Sequence, residues 1–136
     1  MLADKTAVFW VDWREEDEAI AGYCETILRT GALSAELVDT DDELGFALHL
    51  SYRNRRVKAP LVAGTEDRHI TIHALNEILA PDYEIRVCTD SRGMDTLAFV
   101  PLAAQDWRSL EARFPEVVRR RFRKIEQRPN LFTEPW

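Results

Sequence analysis

The stretch YEIRVCTDSRGMDTLAFVPL, residues 83–102, constrains the fold more than any other part of the sequence. Ile85 and Val87 alternate with polar neighbours on its first arm, and Leu97 and Phe99 do so on its second arm. A period of two on both arms is typical of half-buried strands, whose side chains point alternately to the two faces of a sheet. Gly93 lies in the connection DSRGMD, where it can adopt a positive φ. The stretch therefore predicts a β-hairpin whose apolar side faces a core.

The remaining segments predict further strands and helices around this hairpin. A β-branched and aromatic run indicates a first strand over residues 6–13, and Asp12 with Glu15 fits a capping box for the helix that follows. A second hairpin has Arg53, Asn54 and Arg55 at its tip. Helical spacing recurs over residues 65–80, 103–114 and 115–127. The order predicts one α+β domain over residues 1–136, a mostly antiparallel sheet of about six strands with three to four helices packed mainly on one face.

Composition and cysteine usage indicate where such a chain would act. Hydrophobic residues make up 46% of the 136 residues and charged residues 31%, a profile typical of a globular protein. The apolar run from Ala7 to Val11 is too short for a signal peptide, and no stretch approaches the roughly 20 apolar residues of a membrane span. The two cysteines form no CxxC pair, which disfavours a structural zinc site. We expect a protein of the cytoplasm that binds no membrane and needs no metal or cofactor.

The charge is distributed unevenly along the chain. Residues 1–50 hold three basic and twelve acidic side chains, a net charge of −9, whereas residues 51–136 hold fifteen basic and twelve acidic ones, a net charge of +3. Such a distribution can serve solubility alone. It can also form an acidic surface that recognises a basic partner, since complementary charge speeds association and rejects wrong partners.

The candidate catalytic residues have simpler structural interpretations. Paired carboxylates such as Asp90 and Asp95 can perform acid–base chemistry, but aspartate is also common at hairpin tips. Cys24 falls in an apolar helical stripe, and Cys88 has no elbow or glycine-rich context that would present a nucleophile. Because no catalytic constellation emerges, the sequence predicts a protein that is not an enzyme and has no catalytic residue.

One alternative is a small metal-dependent enzyme or ligand-binding protein that uses His69 and His73. These histidines and Glu77 recur at intervals of four, so a helix would place them on one side, and two histidines at this spacing can share a zinc ion. The HExxH motif is absent, and His49 is only a distant candidate for a third ligand. A helix face that is merely polar explains the same pattern.

A weaker alternative is a nucleic-acid-binding module built on RRRFRK, residues 119–124. A basic helix that carries an aromatic side chain can bind a phosphate backbone. The acidity of the whole chain argues against nucleic acid as a partner. The spacing of Val118, Phe122 and Ile125 also turns the aromatic residue toward the core.

Of the four tryptophans, one or two could be exposed anchors for a protein partner.

The segment LNEILAPDYEIRVCTDSRGMDTLAFVPLAAQDWRSLE resembles small bacterial immunity proteins encoded beside secreted polymorphic toxins. The strands DYEIR and DTLAFVPL and the helix start DWRSLE carry this resemblance, which covers roughly residues 75–114. The resemblance implies a protein that binds a cognate toxin enzyme and blocks its active site. We expect the toxin to carry a basic cleft. The immunity protein itself could be a monomer or an oligomer. The candidate partner-binding residues are Glu15, Glu16, Glu18, Asp39, Asp41, Asp42, Glu43, Arg92 and Met94.

Overall fold

The structure, a computed structural model, describes residues 7–136 and confirms the α+β fold class. Thr6, which the sequence assigns to the first strand, lies outside the described residues. Within the described residues, four α-helices and seven strands follow in the order β1 (Phe9–Asp12), α1 (Asp17–Leu28), β2 (Leu33–Asp39), β3 (Phe46–Tyr52), β4 (Arg55–Lys58), α2 (Asp67–Leu79), β5 (Tyr83–Cys88), β6 (Thr96–Ala103), α3 (Ala104–Arg113), α4 (Pro115–Arg121) and β7 (Phe122–Lys124).

The predicted hairpin of residues 83–102 forms the centre of a four-stranded sheet. Its strands are ordered β1-β6-β5-β7, and all neighbours are antiparallel. Phe99 lies opposite Val87 on one side and opposite Phe9 on the other, with the two phenyl rings stacked at 5.6 Å. Gly93 has a φ of 80°, as the turn requires. The expectation of a β-hairpin at this place is thus confirmed, but its strands are buried on both faces and not half-buried.

The helices cover both faces of this sheet, whereas the sequence led us to expect them mainly on one. Phe99 and Ile85 point into the main core, which they share with α1 and α2 through residues such as Ile20 and Ile72. Val100 points the other way, into a smaller core with α3 and α4 that contains Trp107, Val118 and Phe122. Both strands are therefore buried on both faces, which explains why the segment TLAFVPL is almost continuously apolar.

The strands β2, β3 and β4 form a separate three-stranded antiparallel sheet, so the strands are divided between two sheets. Leu48, Leu50 and Tyr52 alternate along β3 and point into the main core beside α2. The hairpin from β3 to β4 turns at Arg53 and Asn54, and Arg53 has a φ of 57°. The hydroxyl of Tyr52 donates a 2.8 Å hydrogen bond to Asp82, which ties this sheet to the start of β5.

The predicted helix over residues 115–127 is wrong in its second half. The helix α4 ends at Arg121, and Phe122 begins β7, which pairs with β5 through Cys88 opposite Phe122. The spacing of four between Val118 and Phe122 would bury both side chains on one face of a longer helix. In the structure Phe122 is buried as part of a strand instead, because the edge of β5 offers hydrogen-bond partners to its backbone. Tertiary pairing therefore decided the conformation over the local period.

The start of the first helix also differs from the sequence expectation. The helix α1 begins at Asp17, and its N-cap residue Glu16 makes no side-chain cap hydrogen bond. Asp12 instead accepts a 2.9 Å hydrogen bond from the backbone N–H of Arg14 and so supports the turn after β1. The capping box predicted from Asp12 and Glu15 is therefore a turn. Across residues 7–136, the structure contains no helix with the length and apolar content to cross a membrane.

Candidate partner-binding surface

Three exposed aromatic side chains lie on β1, on α1 and on the loop between them. Trp10 is 54% exposed, Trp13 42% and Tyr23 37%. Trp10 and Tyr23 line a groove of about 470 Å³, whose walls also include Ile27 and Arg29. Large aromatic side chains are usually buried, so three exposed ones in one part of a surface make it a candidate binding site for a partner.

The alternation of β1 explains why Trp10 points outward. Phe9 and Val11 point into the main core, so the residue between them lies on the opposite face of the strand. Of the described strands, only β6 pairs with β1, which therefore forms an edge of the sheet. Tyr23 lies on α1 next to the buried Cys24, and its own side chain lies at the rim of the groove. The groove is thus open along the edge strand.

Arg68 of α2 fixes the loop that carries Trp13 and the first acidic residues. Its guanidinium donates hydrogen bonds to the carbonyl oxygens of Trp13 and Glu15, at 3.3 and 2.7 Å, and its Nε lies 2.8 Å from the carboxylate of Asp17. Asp17 also accepts a hydrogen bond from the hydroxyl of Thr71. Burial nevertheless raises the pKa of Asp17, against the opposing effect of Arg68. These contacts anchor the loop from beneath, although it lies at the surface.

The predicted acidic residues of the first helix border the exposed aromatic side chains. Glu16 is exposed, while Glu15 and Glu18 are half-buried. Partial desolvation, together with the negative charges of Glu15 and Glu16, raises the pKa of Tyr23. This effect requires those carboxylates to lie close to the phenol. We call Trp10, Trp13, Glu15, Glu16 and Tyr23 the aromatic–acidic surface.

The second predicted acidic group lies on the turn from β2 to β3. Asp39, Asp41 and Glu43 are exposed there. Asp42 has a structural role, since it accepts hydrogen bonds from the hydroxyl of Thr40 and the backbone N–H of Gly45, and both bonds lower its pKa. Three of the four predicted carboxylates in this turn therefore remain available to a partner.

The segment before α2 connects the two acidic groups. Val62 and Ala63 line a hollow together with Asp42 and Glu43. Their backbone N–H groups also donate to the buried carboxylate of Asp67, the neighbour of Arg68. The acidic turn and the aromatic–acidic surface are thus attached to the same end of α2.

The histidine pair has a structural role at its first member. His69 is buried, its Nδ1 accepts the backbone N–H of Leu131, and its Nε2 donates to the carbonyl of Glu126. Both nitrogens are therefore occupied by the C-terminal segment, and neither is available to a metal ion. Nowhere in residues 7–136 do three histidine, cysteine, aspartate or glutamate side chains come together in a group that could hold a metal. The geometry argues against the zinc alternative built on His69 and His73.

The other candidates for chemistry also have structural environments. Burial raises the pKa of Cys24 to about 12 and that of Cys88 to about 11, the opposite of an activated thiol. Asp90 is exposed and lies 3.6 Å from Arg121. The turn is supported by Ser91, which donates to the carbonyl of Cys88 and accepts the N–H of Ala98. The turn was predicted correctly. The sequence pointed to Asp90 and Asp95 as the residues that form it, whereas the side-chain hydrogen bonds that support it come from Ser91.

The last two predicted contact residues lie away from the aromatic–acidic surface. Met94 is 58% exposed on the turn between β5 and β6. Arg92, on the same turn, packs over the ring of Trp136 and lines a second, positively charged groove with residues of α4 and β7. Sequence reasoning missed the joint position of Trp10 and Tyr23; the alternation of β1 would have indicated the outward Trp10.

Comparison with known proteins adds no family to these geometric findings. No protein-family model, no curated protein and no solved structure matches the chain.

Proposed function

We propose that this protein is an immunity protein that binds one cognate toxin enzyme in the cytoplasm and blocks its active site. The observation that carries the proposal is the coincidence of exposed Trp10, Trp13 and Tyr23 with the carboxylates of Glu15 and Glu16. Tryptophan and tyrosine concentrate binding energy at protein interfaces, and surrounding charges select the partner. The resemblance of residues 75–114 to such immunity proteins supports the same class.

The charge of the surface defines the partner's chemistry. Residues 1–50 carry a net charge of −9, and the exposed carboxylates of Asp39, Asp41 and Glu43 extend the acidic area around the same end of α2. A basic cleft that binds nucleic acid or nucleotides in the toxin would be complementary to this surface. The aromatic side chains would supply affinity inside the cleft, and the carboxylates would take the place of substrate phosphates.

The anchored loop favours binding without a large rearrangement. Arg68 holds the carbonyls of Trp13 and Glu15 in place before any partner arrives. Side chains that are already positioned lose less conformational entropy on binding, so a preorganised surface gives higher affinity for the same contacts.

The test is binding to the toxin encoded by the gene next to that of this protein. We expect Trp10→Ala to raise the Kd about 30-fold or more, because truncation of a hot-spot residue, a class enriched in tryptophan, costs about 2 kcal/mol or more. Phe114→Ala is the matched control, since Phe114 is a similarly exposed aromatic residue at the junction of α3 and α4. Calorimetry and growth rescue in cells that express the toxin would measure both variants.

Two results would contradict the proposal. If the toxin did not bind the unaltered protein, the proposed immunity function would be wrong. Equal affinity of the Trp10→Ala and Phe114→Ala variants would remove the aromatic–acidic surface as the binding site.

A further inference from the structure

A second groove, of about 580 Å³, lies where α3 and α4 pack against β5 and β7. Its cationic side chains come from four segments that are distant in sequence or differ in conformation. They are Arg86 of β5, Arg92 of the following turn, Arg119 and Arg120 of α4, and Arg123 and Lys124 of β7. We call these six residues and the space between them the basic groove.

The charges in the basic groove are not balanced by the protein. Two carboxylates line it: Glu111 pairs with Arg86, and Glu116 pairs with Arg119. Arg86 also contacts Glu84, which lies outside the lining, so the six cations exceed the three carboxylates that line or contact the groove by three. Within residues 7–136, no carboxylate lies within 4.0 Å of the other four cations, which are Arg92, Arg120, Arg123 and Lys124. Gathering like charges costs free energy unless an anion neutralises them. This concentration of positive charge stands out because the net charge of the whole chain is −6.

Arg86 is the buried member of this group and is held in a fixed orientation. Its guanidinium lies over the ring of Trp107 at 4.3 Å, and its Nη2 contacts the carboxylates of Glu84 and Glu111 at 3.2 and 3.3 Å. Its Nε has no hydrogen-bond partner in the described part of the chain. The two carboxylates outweigh the charge of Arg86, so the positive potential of the groove comes from the other five cations, and Arg86 contributes a buried N–H donor without a partner among residues 7–136.

Trp136 holds two further cations in position. The guanidinium groups of Arg92 and Arg123 lie 5.0 and 5.8 Å from the centre of its ring. The indole N–H of Trp136 in turn donates to the carbonyl of Leu131, which fixes the ring. Arginine side chains that are already oriented bind an oxyanion at lower entropic cost than free ones.

We propose that the basic groove binds a small phosphorylated molecule that carries three or more negative charges, such as a diphosphate ester. A single phosphate group carries close to two negative charges, so an excess of three positive charges is more than one such group neutralises and fits a molecule that carries two. Arginine binds phosphate oxygens through paired hydrogen bonds. The volume lies in the range of small-molecule sites, and Val118 and Phe122 give the wall an apolar part for the rest of the ligand.

This proposal concerns a different surface from the aromatic–acidic surface and does not depend on the immunity function. A polyanion such as nucleic acid is a poorer occupant. Its phosphate chain would extend beyond the groove over a protein whose net charge is −6.

Isothermal titration calorimetry with pyrophosphate, ADP, adenosine, citrate and a single-stranded oligonucleotide tests the proposal. We expect saturable one-to-one binding of pyrophosphate and ADP, and none of adenosine, because the phosphates carry the recognition. The double variant Arg120→Gln/Lys124→Gln should weaken ADP binding at least tenfold. Both residues are exposed, so the variant should remain folded.

The matched control is Arg108→Gln/Arg113→Gln, which removes the same charge from exposed positions of α3 outside the groove. It should leave the affinity for ADP unchanged. The proposal is overturned if pyrophosphate and ADP do not bind, if citrate binds as tightly as pyrophosphate, or if both double variants weaken ADP equally. If the oligonucleotide bound more tightly than ADP and lost affinity steeply with added salt, the groove would be a nucleic-acid site and the proposal would be wrong.

Discussion

At the scale of single residues, His69 connects α2 to the C-terminal segment. Because its Nδ1 accepts the N–H of Leu131, the proton of the neutral ring must lie on Nε2, which donates to Glu126. A second proton on Nδ1 would break the bond to Leu131. Burial lowers the pKa of His69, an effect that the charge of His73 reinforces and that of Glu134 opposes.

The stability of the fold should therefore fall in mild acid, in a way that depends on His69. A histidine whose pKa is lower in the folded state than its usual 6.5 stabilises the fold fully above pH 6.5, and this contribution is lost as the pH falls toward the folded pKa. We expect His69→Gln to be less stable than the wild type by about 1–3 kcal/mol at pH 7.5, and by less at pH 5.

Urea unfolding at the two pH values measures this difference. His73→Gln is the control, since His73 lies one turn further along α2, contacts Glu77 at the surface and is more exposed than His69. If the gap between His69→Gln and the wild type were the same at pH 5 as at pH 7.5, the bond to Leu131 would not be the acid-sensitive contact.

At the scale of elements, Arg68 joins α2 to the loop between β1 and α1. Its side chain and that of Asp17 are only 15% and 12% exposed. Among the described residues, removal of Arg68 leaves Asp17 as a buried charge without a cation, held only by the hydroxyl of Thr71, which costs more than the pair contributes. We expect Arg68→Met to lower the free energy of unfolding by about 3–5 kcal/mol.

Arg14→Met is the matched change at an exposed pair, because Arg14 contacts Asp12 with a side chain that is 71% exposed. It should cost less than about 1 kcal/mol. Denaturant unfolding at pH 7 compares the two variants. Similar losses in both would show that the contact of Arg68 with Asp17 is no stronger than a surface ion pair.

Elements with a clear period were predictable from the sequence, and contacts between distant segments were not. Ile85, Val87, Leu97 and Phe99 predicted their hairpin because each arm keeps a period of two. Val118 and Phe122 fit a helix and a buried edge strand equally well, and only the free edge of β5 decides between them. Arg68 and Asp17 are 51 residues apart and share no motif. The position of the acidic residues beside Tyr23 was likewise not predictable from spacing.

At the scale of the whole molecule, the two candidate surfaces carry opposite charge. The aromatic–acidic surface belongs to the first 50 residues, with a net charge of −9, and the basic groove lies in the remainder, with a net charge of +3. The electric field of the protein therefore orients an approaching charged partner. Such steering affects the rate of association more than the lifetime of the complex.

Charge reversal at the aromatic–acidic surface should consequently act on association with the toxin proposed as partner. We expect Glu16→Lys to lower the association rate constant about three- to tenfold at low salt, with a smaller difference at 0.5 M NaCl, where screening is strong. Glu77→Lys makes the same change at an exposed position of α2, where the glutamate lies 3.4 Å from His73. Surface plasmon resonance at both salt concentrations separates the rates. Equal association rates for the two variants would contradict steering by this surface.

The edge position of β1 has a further consequence, for self-association. A strand with an unpaired edge and an outward tryptophan is a template onto which a second copy can add its own strand. In residues 7–136 only β6 pairs with β1, and Trp10 lies beside that edge. The carboxylates of Glu15 and Glu16 are close by in each copy, so two such edges repel one another. We therefore expect the negative charge that would attract a basic partner to disfavour pairing of two copies through this edge as well.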